Sequence, residues 1–208
     1  LRDSEDRAIG IVGVTRDISE RKEAFERLKR SSEAQRILKE ILEISLNGIP
    51  LEEMLQRVLD RIVSVQWFNL ERKGAIFLVE EDSAELVMKV HSGLSDENVR
   101  ACRRRKIGEC GCGQAAVARK VVFSDGSPET RKTFCTAFRG YTHYSVPIIS
   151  SGNMLGVMSL FASQDHEHSK EAEQFLESVA DAVAGVIVRK RTEDALRDSE
   201  ENYRTIFN

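Results

Sequence analysis

Residues 143–162 read HYSVPIISSGNMLGVMSLFA, and this stretch predicts two antiparallel strands joined by a tight turn. The side chains of Tyr144, Val146 and Ile148 recur at every second position, which is the period of a strand with one buried face. The letters SSGN in the middle are typical of a hairpin turn. Pro147 cannot donate a ladder hydrogen bond, so it indicates a sheet edge or a bulge.

The segments on both sides of this hairpin extend the same sheet and add helices. Strands are predicted at Gly74–Val79, Glu85–His91, Val121–Phe123, His143–Ile149 and Met154–Phe161. Helices are predicted at Ile37–Leu46, Leu51–Ile62, Asp96–Arg105, Gln114–Arg119 and Ser169–Lys190, with Gly108–Gly113 as a glycine-rich loop. The sequence therefore predicts an α+β fold, in which a central antiparallel sheet carries helices on its faces and long N- and C-terminal helices.

The composition indicates a water-soluble chain with one main core. The 208 residues are 41% hydrophobic and 31% charged, which suits a core domain of roughly 150 residues with helical extensions. We find no apolar run near the roughly 20 residues of a membrane helix and no secretory signal. The net charge of −3 gives no general attraction to nucleic acid or acidic membranes. We therefore expect neither nucleic acid nor a membrane as a partner of this fragment.

Four cysteines, Cys102, Cys110, Cys112 and Cys135, are the densest group of reactive side chains. Without a secretion signal they are expected to be reduced thiols in the cytoplasm. The basic run 100–106 lies beside the Cys110-Gly-Cys112 motif and would lower a nearby thiol pKa. Two interpretations remain open: a ligand-binding or redox-active cluster, or small apolar residues that pack in the core. The C-x-C spacing is too tight for a usual zinc site.

His143 and Tyr144 open the predicted hairpin and are further candidate ligand-binding residues. His143 is a candidate haem or metal ligand. The alternative is a strand-end histidine that bonds to a neighbouring loop. If redox chemistry occurs, we expect Cys110 or Cys112 to pair with Cys102 or Cys135, because residues two apart rarely have disulfide geometry.

Three strings together resemble a GAF domain of sensor kinases and related signalling proteins: KIGECGCGQAAVARKVVFSD, HYSVPIISSGNMLGVMSLFA and EAEQFLESVADAVAGVIVRKR. The resemblance covers residues 33–191 and includes the subgroup motif G-x-C-x-C-G-x-A. In the related motif H-x-H-Y-C-V-P, Tyr141 replaces the first His and Ser145 replaces the Cys. The resemblance implies sensing of a small ligand, a haem or a redox change, and relay of a signal through the terminal helices. The cofactor itself stays unknown.

The ends of the chain resemble pieces of PAS domains. GIVGVTRDISERK is similar to the closing strand and exit motif of such a domain, which assigns residues 1–20 to a preceding PAS domain and 21–32 to a linker helix. LRDSEENYRTIFN is similar to a PAS beginning, which assigns 192–208 to a linker helix and the start of a following domain. This order implies a cytoplasmic, multidomain bacterial or archaeal transducer of the sensor histidine kinase type, with its output domain outside this fragment.

The sequence leaves two alternatives to a sensor. The free methionine-R-sulfoxide reductases are GAF enzymes, and their G-V-C-G-T-A motif is similar to the sequence around Cys112, with Cys102 upstream and Cys135 close to the place of the catalytic cysteine. His143 and Ser159 replace two acids of that family, so we expect this fragment to lack enzymatic activity. The second alternative is a ligand-free dimerisation spacer.

The C-terminal helix predicts self-association. Phe175 with Ala182, and Val179 with Val186, repeat at a seven-residue spacing that is typical of a coiled-coil seam. We therefore expect a parallel homodimer through the terminal helices, tightest between Phe175 and Val186.

Overall fold

The computed structural model describes residues 4–5, 18–68, 70–80, 83–127, 141–164 and 166–207. The chain forms two compact units, Leu1–Glu33 and Ala34–Asn208. The described part of the first unit consists mainly of exposed helical residues. The second unit contains the sheet and the hydrophobic core. The strand predicted at the start of GIVGVTRDISERK and the candidate residue Cys135 lie outside the described residues.

The sheet has six strands in the order β3-β2-β1-β6-β5-β4, and every neighbouring pair is antiparallel. The strands are β1 Leu70–Glu80, β2 Glu85–Ser92, β3 Arg104–Lys106, β4 Val122–Ser124, β5 Thr142–Ser150 and β6 Asn153–Ala162. The predicted hairpin is confirmed as β5 and β6, and Ser151 and Gly152 at its tip both have positive φ, as primed hairpin turns require. A register irregularity follows Ile148, next to Pro147.

The helices are α1 Ser19–Ser45, α2 Leu51–Val63, α3 Asp96–Cys102, α4 Cys110–Ala118 and α5 Lys170–Phe207, with a 3₁₀ turn at Gln66–Phe68. In α2 the apolar residues recur at helical spacing, so that one face is buried. Helix α3 begins where the Ser95 hydroxyl accepts a hydrogen bond from the Asn98 N–H, at 3.2 Å. None of these helices, within the described residues, is both long enough and apolar enough to cross a bilayer.

The two faces of the sheet carry separate clusters of apolar side chains. The larger cluster packs parts of α1, α2 and α5 against inward residues such as Ile76, Tyr144 and Leu160. The smaller cluster packs α3 and α4 against the other face, through residues such as Phe77 and Val157. Successive side chains of a strand point to opposite faces, which is why Ile76 and Phe77 belong to different clusters. The predicted α+β arrangement is confirmed.

The glycine-rich segment 108–113 differs from the predicted loop, because α4 already begins at Cys110. A Cβ atom on Gly113 would lie 2.7 Å from both the Gly108 nitrogen and the Lys106 oxygen. The glycine therefore allows close packing of a helix, and its presence was misread as a sign of irregular backbone.

The predicted helix Asp96–Arg105 was also too long. Helix α3 ends at Cys102, and Arg104–Lys106 form the edge strand β3. The side chain of Arg104 on that strand forms ion pairs with Glu80 and Glu85. The basic run is thus divided between a helix end and a strand, and it does not form a single solvated helix face.

The tightest part of the expected dimer seam is instead part of the chain's own core. Phe175, Val179 and Val186 are buried against the sheet within one molecule. A seven-residue apolar repeat has this outcome when the helix packs on a sheet, because both kinds of packing need an apolar stripe.

Candidate functional site

A small cavity lies on the face of the sheet that carries α3 and α4. Its volume is about 20 Å³, and its polar lining includes Cys102, Cys110, Cys112, His143 and Ser159. Arg105 of β3 also lines it, together with Leu94 and apolar side chains from β1 and β6. The cavity therefore combines three thiols, an imidazole, a hydroxyl and a guanidinium with apolar side chains.

Four elements deliver these side chains. Cys102 is the last residue of α3, and Cys110 and Cys112 belong to the first turn of α4. His143 and Ser159 come from the neighbouring strands β5 and β6. The Gly108 N–H donates a hydrogen bond to the Gly113 carbonyl at 3.0 Å, which holds the start of α4 against the segment before it. This contact holds the first turn of α4, which carries Cys110 and Cys112.

Cys110 occupies the position where a helix stabilises negative charge. The neighbouring Cys112 thiol and the nearby backbone N–H groups of Gly113 and Cys112 act as donors that favour a negative charge on the Cys110 sulfur. Together with the positive charge of Arg105, these donors outweigh burial and lower the pKa of Cys110 to about 6. The thiolate is therefore its main form at pH 7.

Cys112 has the opposite character. Its hydrogen bond to Cys110 and its burial raise the pKa of the Cys112 thiol well above its ordinary value. The Ser145 hydroxyl lies 3.8 Å from the Cys112 sulfur and donates to it. At pH 7 Cys110 is therefore a thiolate and Cys112 is a neutral thiol that donates a hydrogen bond to it. Cys102, the third thiol, accepts a hydrogen bond from Nη2 of Arg105 at 3.1 Å.

His143 is only 4% exposed, and burial lowers its pKa to about 4. The imidazole is therefore neutral at pH 7. Its Nδ1 lies 3.4 Å from the Tyr141 carbonyl oxygen. Because a carbonyl can only accept, we assign the proton to Nδ1.

Tyr144 does not line the cavity, because it follows His143 on the strand and points to the opposite face. There it is fully buried among the aromatic rings of Phe68 and Phe123. Its hydroxyl lies 2.9 Å from Nε2 of His166 and accepts a hydrogen bond from the Ser169 N–H. Burial raises the pKa of Tyr144 and lowers that of His166, so a protonated phenol donates to a neutral imidazole.

The structure thus brings Cys102, Cys110, Cys112 and His143 together and puts Tyr144 on the other face. Sequence reasoning missed the contact of Tyr144 with His166, since nothing in the spacing of two residues so far apart signals it. It also missed Ser145 as a hydrogen-bond donor to a thiol. The alternation of strand side chains was the available signal for the different faces of His143 and Tyr144.

The cavity is too small for the larger candidate ligands. A volume of about 20 Å³ accepts on the order of one water molecule. A haem does not fit this conformation, and neither does an amino-acid-sized substrate. Within the parts of the chain that the structure describes, no three His, Cys, Asp or Glu side chains are arranged to hold a metal ion.

Comparisons with known proteins agree on one fold. The GAF domain family profile matches residues 48–188. A GAF domain from a Coxiella burnetii phosphoenolpyruvate-protein phosphotransferase is 22% identical, with a TM-score of 0.65 over 78% of this chain and 96% of that one. Free methionine-R-sulfoxide reductase from Neisseria meningitidis, solved with its substrate, is 18% identical, with a TM-score of 0.64 over 79% and 93% of the two chains.

A putative GAF sensor protein from Burkholderia vietnamiensis is 17% identical and gives a TM-score of 0.63 over 77% of this chain and 98% of that one. At these identities the likeness shows the fold alone, and it confirms the fold expected from the sequence. No curated protein matches the chain.

Proposed function

Since the chain belongs to the GAF domain family, we propose that it is a sensory relay domain that couples the thiol cavity to its C-terminal helix. GAF domains are typically sensory modules. A change at Cys110 and its neighbours is the input in this proposal. The output is a shift of α5.

The adjacent pair His143 and Tyr144 carries the proposal. His143 lines the thiol cavity, whereas the Tyr144 hydroxyl contacts His166 and the Ser169 N–H just before α5 begins at Lys170. Because one peptide bond joins His143 to Tyr144, a displacement of β5 at His143 also moves the phenol ring of Tyr144. The sheet thereby connects two faces that carry separate apolar clusters.

Hydrogen exchange of the intact 208-residue chain tests the relay without knowledge of the natural signal. Methyl methanethiosulfonate converts accessible thiols to methyl disulfides, and mass spectrometry identifies the modified residues. We expect modification of Cys110 to raise the exchange rate of amides in residues 166–176 several-fold. Unchanged exchange of that segment in fully modified protein contradicts the relay.

Two variants provide the controls. Tyr144→Phe removes the hydroxyl that contacts His166, so we expect thiol modification to lose its effect on residues 166–176. Cys110→Ser should remove the effect by removing the thiol. If Tyr144→Phe responds as the parent protein does, the signal travels by another route and the assigned role of the tyrosine is wrong.

We also propose that the chain acts in the cytoplasm within a PAS–GAF–PAS transducer of the histidine kinase type and assembles as a homodimer through its terminal helices. The motif-like sequences at both ends support the layout. Reduced thiols suit a reducing compartment. The exposed side chains of Val188, Leu196 and Tyr203 on α5 offer an apolar surface to a second copy.

The reductase alternative is supported by the fold of the Neisseria protein and by the cysteines at the cavity. Against it, His143 and Ser159 line the cavity at the positions where the sequence resemblance expects acids. Neither neutral imidazole nor hydroxyl can pair with a substrate ammonium as a carboxylate does. We therefore propose a regulatory rather than an enzymatic role. The ligand-free spacer remains the outcome if the hydrogen-exchange experiment shows no coupling.

A further inference from the structure

We propose that Cys110 is a peroxide-reactive thiolate, which hydrogen peroxide entering the thiol cavity oxidises to a sulfenic acid. This inference rests on the proposed sensory function and names the chemical class of its signal. It distinguishes Cys110 from the other described thiols of the cavity.

The first reason is the place of Cys110 in the fold. Cys110 stands at the start of α4 and lines the cavity together with Arg105. The helix dipole and the guanidinium charge both favour a thiolate over a neutral thiol at this position.

The second reason is that the position is conformationally special. Cys110 has φ of +52°, in the left-handed region that non-glycine residues rarely occupy. Such strain persists where surrounding contacts impose it, and it is often found at functional sites. The low pKa of Cys110 agrees with this geometry.

The third reason is the division of roles between Cys110 and Cys112. The Cys112 thiol keeps its proton and donates it in a hydrogen bond to the Cys110 sulfur. When the Cys110 thiolate attacks one peroxide oxygen, the sulfur loses two electrons and the O–O bond breaks. The hydroxide that leaves takes a proton from the Cys112 thiol, which regains one from solvent. The balance is one thiol and one hydrogen peroxide giving one sulfenic acid and one water.

The fourth reason is the size of the cavity. About 20 Å³ accepts a molecule near the size of water. Hydrogen peroxide is of that size, whereas alkyl hydroperoxides carry an additional organic group. Phe77 and Phe161 are among the apolar side chains that enclose the space. The cavity therefore accommodates hydrogen peroxide better than an alkyl hydroperoxide.

Dimedone trapping tests the proposal on the full chain, reduced and handled without oxygen. One equivalent of hydrogen peroxide is added at pH 6, the chain is then unfolded in urea that contains dimedone, and the adduct is located by peptide mass mapping. We expect one adduct, at Cys110, that is absent from Cys110→Ser. The oxidation rate should follow a titration midpoint near pH 6 and exceed that of the urea-unfolded chain by on the order of tenfold at pH 6.

Cys112→Ala removes the strongest donor to the Cys110 sulfur, so the midpoint should rise. Cys102→Ser is the matched control and should leave the midpoint unchanged. tert-Butyl hydroperoxide fits the cavity less well, so it should oxidise the folded chain more slowly than the urea-unfolded chain. An adduct mainly on Cys102, Cys112 or Cys135, or a midpoint above pH 8, overturns the proposal.

The two proposals fail separately. The relay experiment uses a thiol reagent that needs no peroxide, so a response of residues 166–176 to that reagent with no sulfenic acid at Cys110 leaves the relay intact and refutes the peroxide chemistry. A sulfenic acid at Cys110 without any change in residues 166–176 refutes the relay alone.

Discussion

The hydroxyl of Tyr144 lies 2.9 Å from Nε2 of His166, and this contact joins strand β5 to the segment just before α5. The rings also pack edge to face, with centroids 5.5 Å apart. Tyr144 is fully buried, whereas the imidazole of His166 is partly exposed. The contact therefore contributes to stability as well as to the proposed relay.

Tyr144→Phe is expected to lower the free energy of unfolding by about 1–2 kcal/mol, because His166 Nε2 and the Ser169 N–H lose the phenol oxygen as a partner. Urea denaturation at pH 7.5 measures the change. Tyr203→Phe is the control, since Tyr203 is exposed on α5 and its substitution should change stability little. Equal effects of the two substitutions contradict the importance of the contact.

The stability of the domain is expected to fall as the pH decreases from about 6.5 toward 4, because His143 is buried in its neutral form. Its pKa is about 4 in the folded chain and about 6.5 when unfolded. The unfolded state therefore binds the proton first, and the folded state loses roughly 3 kcal/mol across this interval.

His143→Gln should flatten that part of the stability profile. The depressed pKa of His166 acts in the same direction and remains in the variant, so the difference between the two profiles isolates His143. Parallel profiles for the two proteins show that His143 is not buried as a neutral group.

Gly113→Ala is expected to destabilise the domain by about 1–3 kcal/mol, because the new methyl group would lie 2.7 Å from two backbone atoms of the preceding segment. Gly185→Ala on α5 is the matched control. No atom lies within 4 Å of a Cβ there, so helix propensity should raise stability by about 0.5–1 kcal/mol. Thermal unfolding should show a lower melting temperature for Gly113→Ala and a higher one for Gly185→Ala. If both variants shift the melting temperature in the same direction, the described packing of α4 is wrong.

Leu196→Glu is expected to convert the proposed homodimer to monomer without lowering the melting temperature of the GAF domain, because Leu196 is exposed on α5 and outside the core. Light scattering gives the mass. Ser199→Glu adds the same charge nearby and should leave the dimer intact. If light scattering shows that the native protein is already a monomer, the proposed homodimer is wrong.

No turnover above background is expected with methionine-R-sulfoxide and a thioredoxin system, because His143 and Ser159 supply no carboxylate to the cavity. The assay follows NADPH consumption. Sustained consumption that disappears in Cys135→Ser establishes reductase activity and refutes the regulatory role.

The hairpin was predictable because its signals are local: alternation along two strands and a turn of small residues. The start of α4 was not, since glycine lowers helix propensity and the reason for Gly113 is a backbone neighbour seen only in three dimensions. The sequence likewise showed that Cys110 and Cys112 are close. Cys102 and His143 join them at the cavity only because the sheet brings α3 and β5 next to α4. An apolar stripe such as Phe175 to Val186 does not reveal whether its partner is the same chain or another.

The separation of the two apolar clusters by the sheet has a practical consequence for protein engineering. The cluster beneath α3 and α4 is small, and α5 takes no part in it. Its side chains can therefore be exchanged to admit other chemical inputs while the packing of α5 stays as it is. A library randomised at Leu94, Phe77 and Cys102 would yield biosensors with new specificities and an unaltered readout.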